Sequence, residues 1–205
     1  MDRVVAVGAH CDDIAIGAGG TLLTLCRDHP GLRVDALVCS GAGTEREVEE
    51  HAALAACCPD AKLDVTVLDL PDGRFPAHWA PLKDAVEDLR RRADPDLVLA
   101  PHTGDAHQDH RTLAEIVPST FRDQLILGYE IPKWDSDLRQ PSVFRPLSVE
   151  IAHAKAELLV EHYRSQRGRD WFDQETFLGL ARVRGVQCRA RYAEAFHATK
   201  IVLGD

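Results

Sequence analysis

Arg3-Val4-Val5-Ala6-Val7-Gly8-Ala9-His10-Cys11-Asp12-Asp13 opens the chain with an apolar run that ends abruptly in an imidazole and two carboxylates. The run predicts a strand from Arg3 to Ala9. Outward from it, further short apolar runs occur at Leu32 to Cys39, Leu63 to Leu70, Asp96 to Pro101 and Gln124 to Tyr129. Between them, apolar residues recur every three to four positions, as on one face of a helix. This alternation is the βαβ signature of an α/β fold, with a mainly parallel sheet and helices on both faces.

Local punctuation sharpens the element boundaries. A helix from about Gly17 to His29 is stopped by Pro30-Gly31, and Thr44-Glu45-Arg46-Glu47 has the form of a capping box. Asp94-Pro95-Asp96 turns the chain into the Leu97 strand, and Pro118 is expected to close a helix that begins near His107. The proline-punctuated stretch from Pro132 to Pro146 is expected to be a long surface loop, with Lys133, Trp134, Asp135 and Arg139 as a substrate wall. Helices are expected from His153 to about Arg184, and a last strand near Thr199 to Leu203.

Composition narrows the function classes. A chain of 205 residues that is 45% hydrophobic is long enough to bury one sizeable core, so residues 1–205 are expected to form a single domain. The net charge of -9 leaves no basic stripe to neutralise phosphates, which argues against nucleic acid as a partner. No apolar run reaches the roughly 20 residues that span a bilayer. The first residues look like a strand rather than a signal peptide, so a cytoplasmic protein is expected. Six cysteines with no C-x-x-C pair suggest reduced, buried thiols.

Ligands of open parallel sheets bind beyond the carboxyl ends of the strands. Two titratable clusters sit there. In the first, His10 and Asp13 lie three apart across a turn and can converge on one cation, leaving Asp12 free for proton transfer. In the second, Asp105-Ala106-His107-Gln108-Asp109-His110, the two histidines share one helical face, and Asp109 can hold an imidazole in a chosen tautomer. His10, Asp13 and His110 supply three mixed ligands and leave a position for water, the pattern of a catalytic rather than structural zinc site. Ferrous iron also suits two histidines and a carboxylate. Asp12 then acts as general base. His107, kept cationic or oriented by Asp109, can assist at the oxyanion or the leaving nitrogen. His102 fits neither spacing and is read as loop surface.

These residues resemble the PIG-L/LmbE-type N-acetylglucosaminyl deacetylases, whose A-H-P-D-D and H-x-D-H motifs correspond to Ala9-His10-Cys11-Asp12-Asp13 and His107-Gln108-Asp109-His110. Weaker matches follow in order: Arg46 to Glu49, Leu70-Pro71-Asp72-Gly73, Lys155 to Gln166 and Ala193-Glu194-Ala195-Phe196. The resemblance implies a Rossmann-like three-layer fold and one zinc ion on His10, Asp13 and His110. It also implies Asp12 as base, His107 as acid or electrostatic partner, and sugar contacts from Arg46 and Asp72. The implied partner is a small N-acetylated sugar substrate. Two residues depart from the pattern. Cys11 replaces a proline and places a thiol where a fourth ligand could arise, and Ile14 replaces a glutamate that commonly follows the aspartates.

Three alternatives compete. A hydrolase of another amide or an ester could use the same site. A catalytically silent, metal-containing sugar-binding protein would keep its ligand when Asp12 is changed. A dinucleotide-binding oxidoreductase is disfavoured, because the first turn lacks G-x-G-x-x-G and its two acids would repel phosphate.

Overall fold

The computed structural model describes residues 1–202. In chain order the elements are β1 (Arg3–Gly8), α1 (Asp13–Asp28), β2 (Arg33–Val38), α2 (Glu45–Cys57), β3 (Lys62–Val67), α3 (Trp79–Arg92), β4 (Leu97–Pro101) and α4 (Gln108–Thr120). They continue with β5 (Leu125–Tyr129), β6 (Val143–Leu147), α5 (Val149–His162), α6 (Gln174–Gln187) and β7 (Tyr192–His197). The strands form one sheet in the order β3-β2-β1-β4-β5-β7-β6.

Side chains alternate across the pleat, and the core divides accordingly. Val4 and Ala6 of β1 pack with Ile14 and Leu22 of α1 and Leu54 of α2 on one face. Val5 and Val7 pack with Leu82 and Val86 of α3 and Leu113 and Val117 of α4 on the other. A sheet covered on both sides needs apolar residues at every central position, which is why β1 and β4 read as continuous apolar runs. On the first face α1 comes unusually close, because a Cβ at Gly17 would run into the Tyr129 ring. That ring is wholly buried, and its hydroxyl donates 2.7 Å to the Val7 carbonyl.

The sheet is mixed: the pairings among β1 to β5 are parallel, whereas β7 pairs antiparallel with both β5 and β6. Three expectations need correction. The end of the expected Pro132 to Pro146 loop is β6, whose Pro146 is tolerated because this is the edge strand and loses no ladder donor that matters. The last strand is Tyr192–His197 rather than Thr199 to Leu203; Ile201 and Val202 are exposed, and Leu203 lies outside the described residues. Pro118 sits inside the last turn of α4, which runs to Thr120.

The sheet order sets the position of the site. From β1 the chain steps outward through β2 to β3, then returns so that β4 pairs with the other edge of β1. Connections leaving the carboxyl ends of β1 and β4 therefore diverge and open a crevice.

Candidate metal centre and active-site cavity

The turn after β1 is built by its own carboxylates. Asp12 adopts a left-handed conformation at φ 108°, strained for a residue with a side chain. Its amide is held 2.8 Å from Glu50 Oε2 of α2, a fully buried carboxylate that also accepts the Tyr163 hydroxyl at 2.7 Å. Asp13, first residue of α1, reaches back so that its Oδ2 accepts the Ala9 and His10 amides, both at 2.9 Å. Cys11 points away from this cluster and donates its thiol to the Ser40 carbonyl, so it is not available as a fourth ligand.

The second cluster arrives with α4. His107 caps the helix, its Nδ1 accepting the Asp109 amide at 3.3 Å. One turn on, His110 projects toward β1, and His10 Nδ1 lies 3.2 Å from His110 Nε2. Asp13 Oδ2 is 3.6 Å from the former and 3.4 Å from the latter. A tetrahedron whose corners lie about 2.0–2.1 Å from its centre has edges of ~3.3 Å, so these three atoms are already spaced to hold a small divalent ion. Two overlapping sets also converge: His10, His107 and His110, and His10, Asp72, His107 and Asp109, each within 4.8 Å. The Asp13 triangle is tighter and includes an anionic oxygen anchored by two amides.

Each imidazole of the triangle uses its other nitrogen on a carboxylate. His10 Nε2 meets Asp109 Oδ2 at 3.2 Å and Asp72 Oδ1 at 3.0 Å, and His110 Nδ1 meets Asp105 Oδ2 at 2.9 Å. Such outer partners fix tautomer and ring orientation around metals. Asp109 thus orients His10 rather than His107, contrary to the sequence expectation. It also accepts the Gly73 and Phe75 amides, tying the loop after β3 to α4. Asp105, which holds His110, stands five residues before it in the same contiguous run, and that place in the run is its only sequence signal.

Electrostatics agree with a cation at this point. Burial pushes His10 down, yet Asp109, Asp13 and Asp72 outweigh it and hold the ring well above the ordinary imidazole range. His110 behaves alike: burial opposes, but Asp13 and Asp105 raise it to about 9. Asp13 is held well below the carboxylate range despite burial, because both imidazoles face it. Without a metal, protons on the imidazoles must supply the positive charge. His107 differs: burial and the neighbouring imidazoles lower it, so it is neutral. It is not kept cationic, as the sequence expectation allowed. With Nδ1 accepting from a backbone amide, its remaining proton sits on Nε2. Asp12 is pushed up to about 7 by burial, against the pull of Arg46.

All of these residues except Asp105 and Asp109 line one open cavity of about 350 Å³, joined there by Arg46 and by Lys133, Trp134, Asp135, Gln166, Arg169 and Trp171. Arg46 is committed to Asp12, Nη2 to Oδ2 at 2.9 Å, and to the Cys11 carbonyl. Lys133 reaches Asp105 at 3.0 Å, extending the chain of contacts behind His110. Arg139 lies outside this cavity: its side chain packs over Gly104, and its backbone carbonyl accepts from Arg184. Two further sequence assignments change. His102 is buried, stacked on His197 with centroids 4.5 Å apart, rather than loop surface. The late Lys155 and Ala-Glu-x-Phe motifs build a clasp: Lys155 Nζ meets Glu194 at 2.6 Å, and Glu194 accepts the Gly20 and Thr21 amides of α1. Glu50, Tyr163, Arg169 and Trp171 escaped the sequence because their partners are more than thirty residues away or across the cavity.

Comparison with known proteins places this geometry. A relative in Escherichia coli, the uncharacterized deacetylase YaiS, is 28% identical over 168 residues, covering 78% of this chain and 89% of its own. An N,N'-diacetylchitobiose deacetylase from Pyrococcus horikoshii shares the fold with TM-score 0.72 and 20% identity, over 97% of this chain and 84% of its own. A 4-carboxy-2-hydroxymuconate hydratase from Pseudomonas putida superposes with TM-score 0.80 and 17% identity, over 100% and 99%. Residues 5–121, more than half of the chain and both histidine clusters, match the family described as PIG-L: GlcNAc-PI de-N-acetylase, and the chain belongs to that family.

Proposed function

We propose that this protein is a metal-dependent hydrolase that removes an N-acetyl, or more broadly N-acyl, group from an amino-sugar-containing substrate. The single observation that carries the proposal is the triangle of His10, Asp13 and His110 at the floor of an open cavity, with Asp12 beside it. Family membership supplies the reaction class. His10, Asp13 and His110 would hold one zinc ion, with ferrous iron the alternative; when bound, such an ion polarises a carbonyl and makes water acidic enough to attack it.

The chain's own residues handle protons and orientation. Asp12, beside the proposed ligands and held by Arg46, is placed to accept a proton from the attacking water and return it to the departing nitrogen. That return is needed because an amide anion is a very poor leaving group. Arg46 and the Glu50 contact to its amide keep Asp12 in its strained orientation. His107, neutral with its proton on Nε2, donates a hydrogen bond to the carbonyl oxygen as it gains charge. Asp109 and Asp105 hold the two ligand rings. Asp72, the most exposed carboxylate of the cluster at 65%, is the group best placed to accept a hydroxyl of the sugar.

Incubating zinc- or iron-loaded protein with N-acetylglucosamine and its glycosides, and measuring free amine and acetate together, tests the proposal. Equal release of both supports it. A hydratase on this fold would release neither, and an esterase would release acetate only from O-acetyl sugars. A catalytically silent binder would take up the sugar and leave it intact.

A further inference from the structure

A second open cavity of about 360 Å³ lies between the turn after β4 and the loop after β5, and it shares no lining residue with the metal cavity. Its walls include Thr103 and Gly104 from the turn, Arg111 from α4, and Ser136 and Arg139 from the loop. Among the described residues neither guanidinium has a carboxylate within ion-pair distance. The two aspartates of the same walls are engaged elsewhere, Asp105 with His110 and Lys133, and Asp137 with Lys133 and the Ala106 amide. Arg111 donates instead to the Asp105 and Ala106 carbonyls. Arg139 lies so close to Gly104 that a Cβ there would come within 2.5 Å of its Nε, so the glycine makes room for the guanidinium. The chain carries 33 acidic residues against 24 lysines and arginines, and two arginines without an acidic partner in one cavity stand out against that excess.

Chemistry selects the occupant. A concave site lined by like charges focuses their field and raises the local concentration of counter-ions. The forked N–H donors of a guanidinium match the oxygens of a phosphate or carboxylate, and the Thr103 and Ser136 hydroxyls add further donors. A cation would be repelled here, and an apolar ligand would strip water from two charges without replacing it. The volume falls within the roughly 300–1,000 Å³ range of small-molecule sites. We propose that this cavity is a binding site for a small oxyanion, carried on a phosphate or a carboxylate group, held by Arg111 and Arg139 and separate from the metal centre. A bound anion would join α4 to the loop after β5. Arg111 also grips the carbonyl of Asp105, whose side chain holds His110, so the ligand would brace the support of the metal triangle. The inference goes beyond the deacetylase reading and does not depend on it.

Calorimetric titration of inorganic phosphate and, separately, of succinate into zinc-loaded and metal-free protein tests the site. One anion per chain is expected to bind in both metal states, and more weakly as sodium chloride is raised, because the attraction is between charges. Arg139→Gln is expected to weaken binding roughly tenfold or more, the worth of one charge-assisted contact, and Arg111→Gln by a similar factor. Arg139→Lys, which keeps the charge and loses the fork, should fall between wild type and Arg139→Gln. Arg139 is exposed, so its two variants carry the test even if the loss of the Arg111 carbonyl contacts disturbs folding. Binding of phosphate alone assigns the site to a phosphorylated compound and binding of succinate alone to a carboxylate, and either supports it. Absence of saturable binding of both anions to wild-type protein overturns the proposal. Binding unchanged in Arg139→Gln also overturns it, because the anion would then sit at the metal or on the His10 and His110 imidazoles. None of these outcomes depends on amine release, so the deacetylase proposal stands or falls separately.

Discussion

Asp12 occupies a left-handed backbone position that few residues with a side chain accept, held there by Glu50 and Arg46. Such strain persists only where surrounding contacts over-determine it, and it concentrates at working sites. Asp12→Asn should keep the metal, since the ligands are untouched, and should lower amine release by about 10²–10⁴-fold, the usual worth of a positioned proton-transfer group. Metal content and initial rate, measured on one preparation, check both halves. Asp105 acts differently, because it touches His110 and not the cavity. Asp105→Ala should weaken metal affinity by roughly 10–100-fold, read by competition with a chromophoric chelator. An unchanged affinity would mean that His110 needs no outer partner.

The clasp on α1 gives the late Lys155 and Glu194 motifs, remote from the site, a structural role. The Ile16 carbonyl and Gly20 amide, partners in an ideal helix, receive Lys155 and Glu194 respectively. Both ions are nearly enclosed, with side-chain exposures of 11% and 4%. Removing one partner leaves the other buried and uncompensated, so Glu194→Ala should cost about 3–5 kcal/mol, measured by urea unfolding. Gly17→Ala should also destabilise, by about 1–3 kcal/mol, because the added methyl meets the Tyr129 ring. A loss under 0.5 kcal/mol in either variant would show that α1 can shift away at little cost. The elements most legible in sequence were those with continuous apolar runs, such as β1 and β4. The edge strand β6 was hidden by Pro146, and β7 by Glu194, a buried carboxylate in the middle of a strand.

For the whole molecule, the histidine and carboxylate clusters were visible in sequence because each is contiguous. Their meeting, His10 with His110 across the crevice between β1 and β4, followed from the parallel-sheet pattern. What could not be read was which carboxylate serves which imidazole, since Asp109 passes over its neighbour His107 to reach His10. The same cluster sets the pH response of metal-free protein. Asp12 at about 7, Glu50 at about 8 and His110 at about 9 are all raised above their ordinary values. Burial is the first cause for the two carboxylates, while His110 is raised by Asp13 and Asp105 against burial. Groups raised on folding hold protons more tightly in the folded chain, so their stabilisation is present at low pH and is lost as pH rises through the folded values. Chelated protein should therefore melt at a lower temperature at pH 9 than at pH 6. Metal should reverse the loss, because it replaces the protons and binds only the folded site. A melting temperature that rises from pH 6 to pH 9 without metal would contradict this electrostatic account. Among the described residues no helix is long and apolar enough to cross a membrane.

In the proposed centre His10, Asp13 and His110 bind one divalent ion with a vacancy toward the cavity. X-ray absorption at the metal edge of zinc-loaded protein tests it most directly. One zinc per chain is expected, in a nitrogen and oxygen shell at about 2.0–2.1 Å that includes two imidazoles and no sulfur. His10→Ala and His110→Ala should each remove one imidazole from that shell or abolish loading. A sulfur shell at about 2.3 Å, or a zinc environment unchanged in both variants, would contradict it.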